Sequence, residues 1–406
     1  MRRLLAFALL AAGCSDDSVI AARQLDEAIQ PDAEAVARGN NQLACDLYAK
    51  LAEGGGNTFF SPFSISTALA MLDAGAAGET DAELRRALHF ELPGERAHAA
   101  YGALLDSLAI GRDFGEYTLA TANRLFGQDG YEFLPGFLGI TRDHYDAELM
   151  PVDFARDPEG ARGIVNDWVK GQTDGKIEEL FEQGDLDPST VLVLANAIVF
   201  KGKWQGKFAS TQDSAFRLAD GTTVNVPIMS KQDTISVSHI PGGRLGVMPF
   251  RGEDLSMLVL LPDEPSGLPA IEQELSGANL ATWIGGASEA DERIQITLPK
   301  FSLEEKIDLE ATLKALGIVT AFDPASADFS AMNGRRDLYV QKTVHRAVIA
   351  VDENGAEAAA ATGVSVGRDA APEPFEVDRP FVLAIYDHVT GSVLFMGRVL
   401  DPRPGA

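Results

Sequence analysis

Residues 191–200 read VLVLANAIVF, ten positions that carry a single polar side chain, Asn196. A strand this apolar has no face to give to solvent. It reads as buried on both sides, and its one amide is obliged to find partners there. Other strand candidates are LSMLVLLP (255–262), IQITLPKF (294–301), VHRAVIAVD (344–352) and the pair PFVLAIYD and SVLFMGRV, joined by a short turn. Helical spacing appears earlier. Leu43, Leu47, Tyr48 and Leu51 repeat on one face between Asn41 and Leu51, and Gly54 to Gly56 end that pattern. Ser61-Pro62 offers an N-cap followed by proline at the first helical position, leading into FSISTALAML. Thr80 with Glu83 predicts a capping box for AELRRALHF. Further helices are predicted at 159–171 and 306–316, the latter closed by Gly317. No internal repeat and no interdomain linker follows residue 41, so the economical reading is one α+β domain.

Of the 406 residues, 46% are hydrophobic, enough to bury a sizeable core. The net charge of -26 argues against contacts to a phosphate backbone, so nucleic acid is not an expected partner. The six histidines are scattered, without HExxH or any pair at ligand spacing, and no metal site is expected. Only two cysteines exist, Cys14 and Cys45, and Cys45 reads as a buried apolar residue of a helix. No cofactor is implied.

The first residues, MRRLLAFALLAAGCSDDS, place two arginines before an apolar run and small residues before Cys14, the pattern of a short export signal over 1–13. Small residues leading into a cysteine resemble the bacterial lipobox, in which the cysteine is lipidated and becomes the mature N-terminus. Ala11 stands where leucine is usual in that motif. Residues 14–40 then read as a polar tether. The expected protein is secreted and lipid-anchored in a bacterial cell envelope or at the cell surface, meeting the membrane only through Cys14.

Three patterns suggest enzymes, and none has the context it needs. Gly363-Val364-Ser365-Val366-Gly367 fits the nucleophile elbow, with Asp387-His388 downstream, but an alanine run precedes it where a strand is required, and Pro372 and Pro374 follow where a helix is required. GQTDGK (171–176) and GKWQGK (202–207) each fall one residue short of a phosphate loop, and neither is followed by the serine or threonine that binds magnesium.

Several blocks resemble the serpin family in that family's order and spacing: NTFFSPFSISTALAMLDAGAAGETDAEL, VNDWVKGQTDGKI, LANAIVFKGKWQGKF, ITLPKFSLEEKIDLEATLKALGI, VQKTVHRAVIAVDENGAEAAA and DRPFVLAIYDHVTGSVLFMGRV. The resemblance runs from about residue 41 to residue 402. It implies an α+β fold of three sheets and about nine helices, in one domain over 41–406, with an exposed reactive loop at about 353–379. It also implies a monomeric inhibitor, not an enzyme, that traps a serine protease, or a cysteine protease, as a suicide substrate when the loop inserts into the central sheet. Serpin loop insertion is a standard instance of strand addition.

The segment DENGAEAAAATGVSVGRDAAP suits that role. Written as a strand, Ala356, Ala358, Ala360, Thr362, Val364 and Val366 share one small, apolar face, and no proline before Pro372 would deny a ladder hydrogen bond. Fourteen inserted residues would carry an attached protease roughly 45 Å. By resemblance, Glu353, Gly355, Ala356 and Ala358 to Ala361 (Ala359 and Ala360 between them) form the hinge, with Ala356 where many inhibitory members have threonine or serine. Lys300 pairs with Glu353 near Trp204 at the breach, and Ser61, Ser64, Asn196 and His345 form the shutter beneath the opening strands. Counting along the loop places the reactive bond at Asp369-Ala370; trypsin-like targets would choose Arg368-Asp369, and elastase-like ones Val366. The alternatives are a non-inhibitory serpin that is simply cleaved, and a serine hydrolase using Ser365. Activation by heparin-type polyanions needs a basic surface, which so acidic a chain does not offer.

Overall fold

The computed structural model describes residues 23–113, 117–289, 293–353 and 373–405. Its strands are β1 (Thr58–Phe60), β2 (Tyr117–Gln128), β3 (Met150–Val152), β4 (Leu192–Gly202), β5 (Ser210–Arg217), β6 (Thr223–Asp233), β7 (Ser236–Ile240), β8 (Gly243–Pro249), β9 (Leu255–Pro262), β10 (Ser288–Glu289), β11 (Ile294–Pro299), β12 (Phe301–Asp308), β13 (Thr343–Val351), β14 (Phe375–Glu376), β15 (Phe381–Asp387) and β16 (Ser392–Val399). Among the described residues the helices are α1 (Gln30–Leu51), α2 (Pro62–Asp73), α3 (Gly78–Ala87), α4 (Gly94–Asp113), α5 (Pro135–Tyr145), α6 (Pro158–Gln172), α7 (Leu268–Glu274), α8 (Gly277–Gly285), α9 (Glu310–Ala315) and α10 (Ser330–Asn333).

The strands form three sheets: seven strands in the order β1-β16-β15-β9-β8-β7-β10, four as β14-β11-β6-β5, and five as β12-β13-β4-β2-β3. Helix α2 is buried along its whole length, because it packs against β16 of the seven-stranded sheet and against β4 and β2 of the five-stranded one. It starts as its sequence predicts, with Pro62 in the first turn and the Ser61 hydroxyl accepting from the Ser64 amide. On the other face of the five-stranded sheet lies α6. Val193, Ala195, Ala197 and Val199 point toward its Ala161, Val165 and Val169, while Leu192, Leu194, Ile198 and Phe200 join the main core. Strand β4 is therefore buried on both faces, and Asn196 falls in its inward row.

Three local readings need correction. Residues 30–40, expected within a tether, are the first turns of α1, where Ala33, Val36 and Gly39 are buried, and Arg23 is buried as well. Small alanines bury enough surface there to dock the segment without the bulky stripe that marks a core helix. Thr80 and Glu83 form no capping box, because α3 begins at Gly78 and puts both inside the helix. They bind the 319–328 loop instead: the Glu83 carboxylate accepts from the Val319 and Thr320 amides at 2.8 and 2.7 Å, and Thr80 Oγ1 accepts from the Asp328 amide at 3.0 Å. The stretch 306–316 is a strand up to Asp308, since pairing with β13 from Phe301↔Val351 to Asp308↔Val344 overrides its helical pattern, and α9 keeps only six residues before Gly317. Cys45 is buried in α1, and burial pushes its thiol up to about 12, which leaves it unreactive.

Candidate functional site: the junction between β13 and β4

The middle of the five-stranded sheet is a parallel pair. β13 and β4 run side by side in register from Thr343↔Leu194 to Ile349↔Phe200. β13 ends at Val351, so a chain that turned back there and entered between the two strands would lie antiparallel to both. The residues available for that return are those immediately after Glu353.

Aromatic packing and hydrogen bonds hold this end of the junction. Trp204 stacks on Phe250 with ring centres 4.7 Å apart and meets Phe208 edge-on at 5.6 Å. Its indole N–H donates to the Asp352 carbonyl at 2.9 Å. One residue on, Glu353 accepts from Lys300 Nζ at 2.8 Å through one oxygen and from the Thr211 hydroxyl through the other. These two donors hold the Glu353 acid down to about 2. Buried Lys231 sits 5.2 Å from the Phe208 ring and is held by Asp233 and the Gly206 carbonyl. Gly202 admits no side chain, because a Cβ there would lie 2.5 Å from the Phe250 ring.

Mid-sheet, a row of polar side chains crosses the junction. Asn123 on β2 pairs with Asn196 on β4, and Asn196 pairs with His345 on β13. The Asn196 amide nitrogen reaches the Ser64 carbonyl at 2.8 Å and both Ser64 Oγ and Asn123 Oδ1 at 2.9 Å. His345 Nδ1 donates to Asn196 Oδ1, while its Nε2 accepts from the Ser61 amide at 3.0 Å. The Ser61 hydroxyl donates to the Leu394 carbonyl at 2.6 Å, tying the row to the seven-stranded sheet. Both ring nitrogens of His345 are thus committed to the neutral tautomer, and burial pushes its acid down to about 3.

Ser61, Ser64, Asn196 and His345 form one network, and Trp204, Lys300 and Glu353 lie together at the end of the junction. Sequence reading missed Asn123 and Thr211. Asn123 stands in a strand without a clear alternating pattern, and only the register with Asn196 exposes it. Thr211 lies on β5 of another sheet. Cys14, Gly355, Ala356, Ala358 to Ala361, Ser365, Val366 and the candidate bond residues Arg368, Asp369 and Ala370 lie outside the described residues. The acid and histidine of the hydrolase reading have other partners: Asp387 is buried against Arg23, and His388 Nε2 lies 2.9 Å from Ser256 Oγ. Among the described residues no cluster of three His, Cys, Asp or Glu could hold a metal ion, and no helix is long and apolar enough to cross a membrane.

A family model described as "Serpin (serine protease inhibitor)" matches residues 38–402. The chain belongs to the serpin family. Leukocyte elastase inhibitor of Bos taurus is 43% identical over 381 residues, covering 91% of this chain and all of the relative. The leukocyte elastase inhibitor of Homo sapiens is 40% identical with the same coverage. Among solved structures, uncleaved ovalbumin matches with a TM-score of 0.82 at 30% identity, over 91% of this serpin and 100% of that chain. Maspin matches with a TM-score of 0.84 at 28% identity, over 92% and 100%.

Proposed function

We propose that this serpin inhibits serine endopeptidases by suicide trapping and is not itself an enzyme. The observation that carries the reading is the parallel β13–β4 junction, followed by a segment whose alternate residues from Ala356 to Val366 are small and mostly apolar, with no proline before Pro372. The target's nucleophile attacks a loop carbonyl, the peptide bond breaks, and the new amine end leaves while the acyl group stays on the protease. Insertion of the loop then distorts the protease before water can release it. The chemical groups belong to the target, and this chain supplies substrate and stored conformational energy.

Two curated relatives named as leukocyte elastase inhibitors make elastase-like enzymes the first targets to test. Cleavage after Val366 suits them, whereas Arg368-Asp369 and Asp369-Ala370 suit trypsin-like and acid-specific proteases. The protein is incubated with all three kinds, and denaturing gels are combined with mass spectrometry of the released peptide. A complex stable to SDS is the expected result, and the peptide's first residue identifies the bond. Clean cleavage with no complex from any of them would sink the inhibitor reading in favour of a serpin that is only cleaved.

The proposal extends to export and to a lipid on Cys14 of a bacterial envelope protein, on the strength of the arginines, apolar run and small residues that precede that cysteine. A mature mass that retains residues 1–13 or lacks the lipid would remove the anchor.

A further inference from the structure

Residues 23–37 precede the stretch matched by the family model, yet Arg23 and, in α1, Ala33, Ala35, Val36 and Ala37 are buried. Arg23 has a side chain only 1% exposed. Its guanidinium donates to the Ser107 carbonyl at 2.8 Å and to the Ser107 hydroxyl at 3.1 Å. It also grips both oxygens of Asp387, at 3.2 and 2.9 Å, and lies 3.6 Å from Asp254. This is the bidentate fork that arginine makes with a carboxylate, here removed from solvent.

The three partners belong to two bodies. Asp387 ends β15 and Asp254 immediately precedes β9, and these strands are neighbours in the seven-stranded sheet. Ser107 lies on α4, which packs on α1 and α5 and also touches β2, where the Tyr117 hydroxyl donates to the Leu108 carbonyl at 2.8 Å. Tyr117 pairs with Gly202, at the end of the sheet where Trp204 covers the junction. Admitting a strand between β13 and β4 requires β4, β2 and β3 to move away from β12 and β13 by about one strand spacing, ~4.8 Å. β12 and β13 pack against β1, an edge strand of the seven-stranded sheet. If β2 carries α4 with it through the Tyr117–Leu108 bond, the plane of separation runs between the α4–β2 side and the seven-stranded body, and Arg23 bonds across it. Hydrogen bonds of this length do not survive a displacement of several ångströms.

We infer that the Arg23 segment is a brace across the plane on which the sheet opens, and that this N-terminal extension slows loop insertion. The inference rests on the insertion reading above. Removing Arg23 alone would strand a buried carboxylate, so the test uses the full chain with Arg23→Ala and Asp387→Asn combined, beside Arg23→Lys, which keeps the charge and loses the fork.

Two quantities are read: the rate at which the intact protein loses inhibitory activity at 37 °C as it converts to a heat-stable form, and the melting temperature of the loop-nicked form. The double variant is expected to convert at least tenfold faster, while its nicked form melts with the wild type, because the brace is already broken once the loop is inserted. Conversion within twofold of wild type overturns the brace. A nicked form destabilised as much as the native one also overturns it, since that marks a merely structural contact. Should the double variant fail to fold, Arg23→Lys decides on the same criteria. A wild-type nicked form that melts no higher than the intact protein would remove the insertion reading itself, and the brace with it.

Discussion

Acid should loosen the junction through His345. Its Nδ1 already donates to Asn196 and its Nε2 already accepts from the Ser61 amide, so a second proton would point N–H at N–H in a fully buried site. Burial takes its acid from the ordinary 6.5 to about 3. Because the folded value lies below the unfolded one, this contribution is fully present above pH 6.5 and is lost as the pH falls from 6.5 toward 3. Between pH 7 and pH 5 about one and a half units of that window are crossed, which amounts to about 2 kcal/mol. Other groups titrate nearby. Burial pushes His98 down to about 4, which acts in the same direction, and pushes Asp73 up to about 7, which acts in the opposite one. The assay must therefore be differential: urea denaturation of native wild type and His345→Gln at pH 7, 6 and 5. The variant is less stable at pH 7, and its deficit should shrink by about 2 kcal/mol by pH 5. Parallel curves, or an imidazole resonance of His345 that titrates above pH 5, would refute the reasoning.

Asn196→Ala should cost about 1–3 kcal/mol, because it leaves the buried His345 Nδ1–H without a partner, while the Ser64 carbonyl keeps the helical bond that its place in α2 gives it. Urea denaturation measures this, and a loss below about 1 kcal/mol would mean that the row does not hold the sheet. Trp204 should report insertion, since a chain entering at Glu353 must break its bond to the Asp352 carbonyl. Tryptophan emission should change on conversion in the wild type and not in Trp204→Phe; a change that persists in the variant would assign it to Trp168 or Trp283.

What could be read locally was what one element determines alone. The apolar run of β4, the proline-started α2 and the alternation after Glu353 each follow from the spacing of a few residues. The site is less local. Asn123, Asn196, His345 and Ser61 are separated by 62 or more positions at each step, and only the sheet register brings them together. Their roles could be named beforehand for Asn196, His345, Ser61 and Ser64 because a family pattern marks them, and not for Asn123 or Thr211. The start of α1 was hidden for another reason: Ile29 makes no side-chain cap, and the buried residues of the first turns include only one larger apolar side chain, Val36, among alanine, glycine and polar residues, so neither a start signal nor a stripe appears. At 306–316, Ile307, Leu309, Leu313 and Leu316 do have helical spacing, and the β13 edge wins because pairing satisfies backbone groups that a short isolated helix would satisfy less well.

The bonds that cross the junction differ in kind from the core beneath it. Leu192, Leu194, Ile198 and Phe200 pack on α2 through dispersion, which weakens gradually as surfaces slide. Asn196 to His345 and Trp204 to Asp352 are directional, and each is lost over a displacement smaller than one strand spacing. A sheet that must stay shut for long periods and then open completely is better served by the second kind. Such bonds hold until they break, and two new antiparallel ladders can replace what is lost. Substitutions in these groups should therefore change the rate of conversion far more than the stability of the inserted form, whereas substitutions in the β4–α2 packing should lower the stability of both forms.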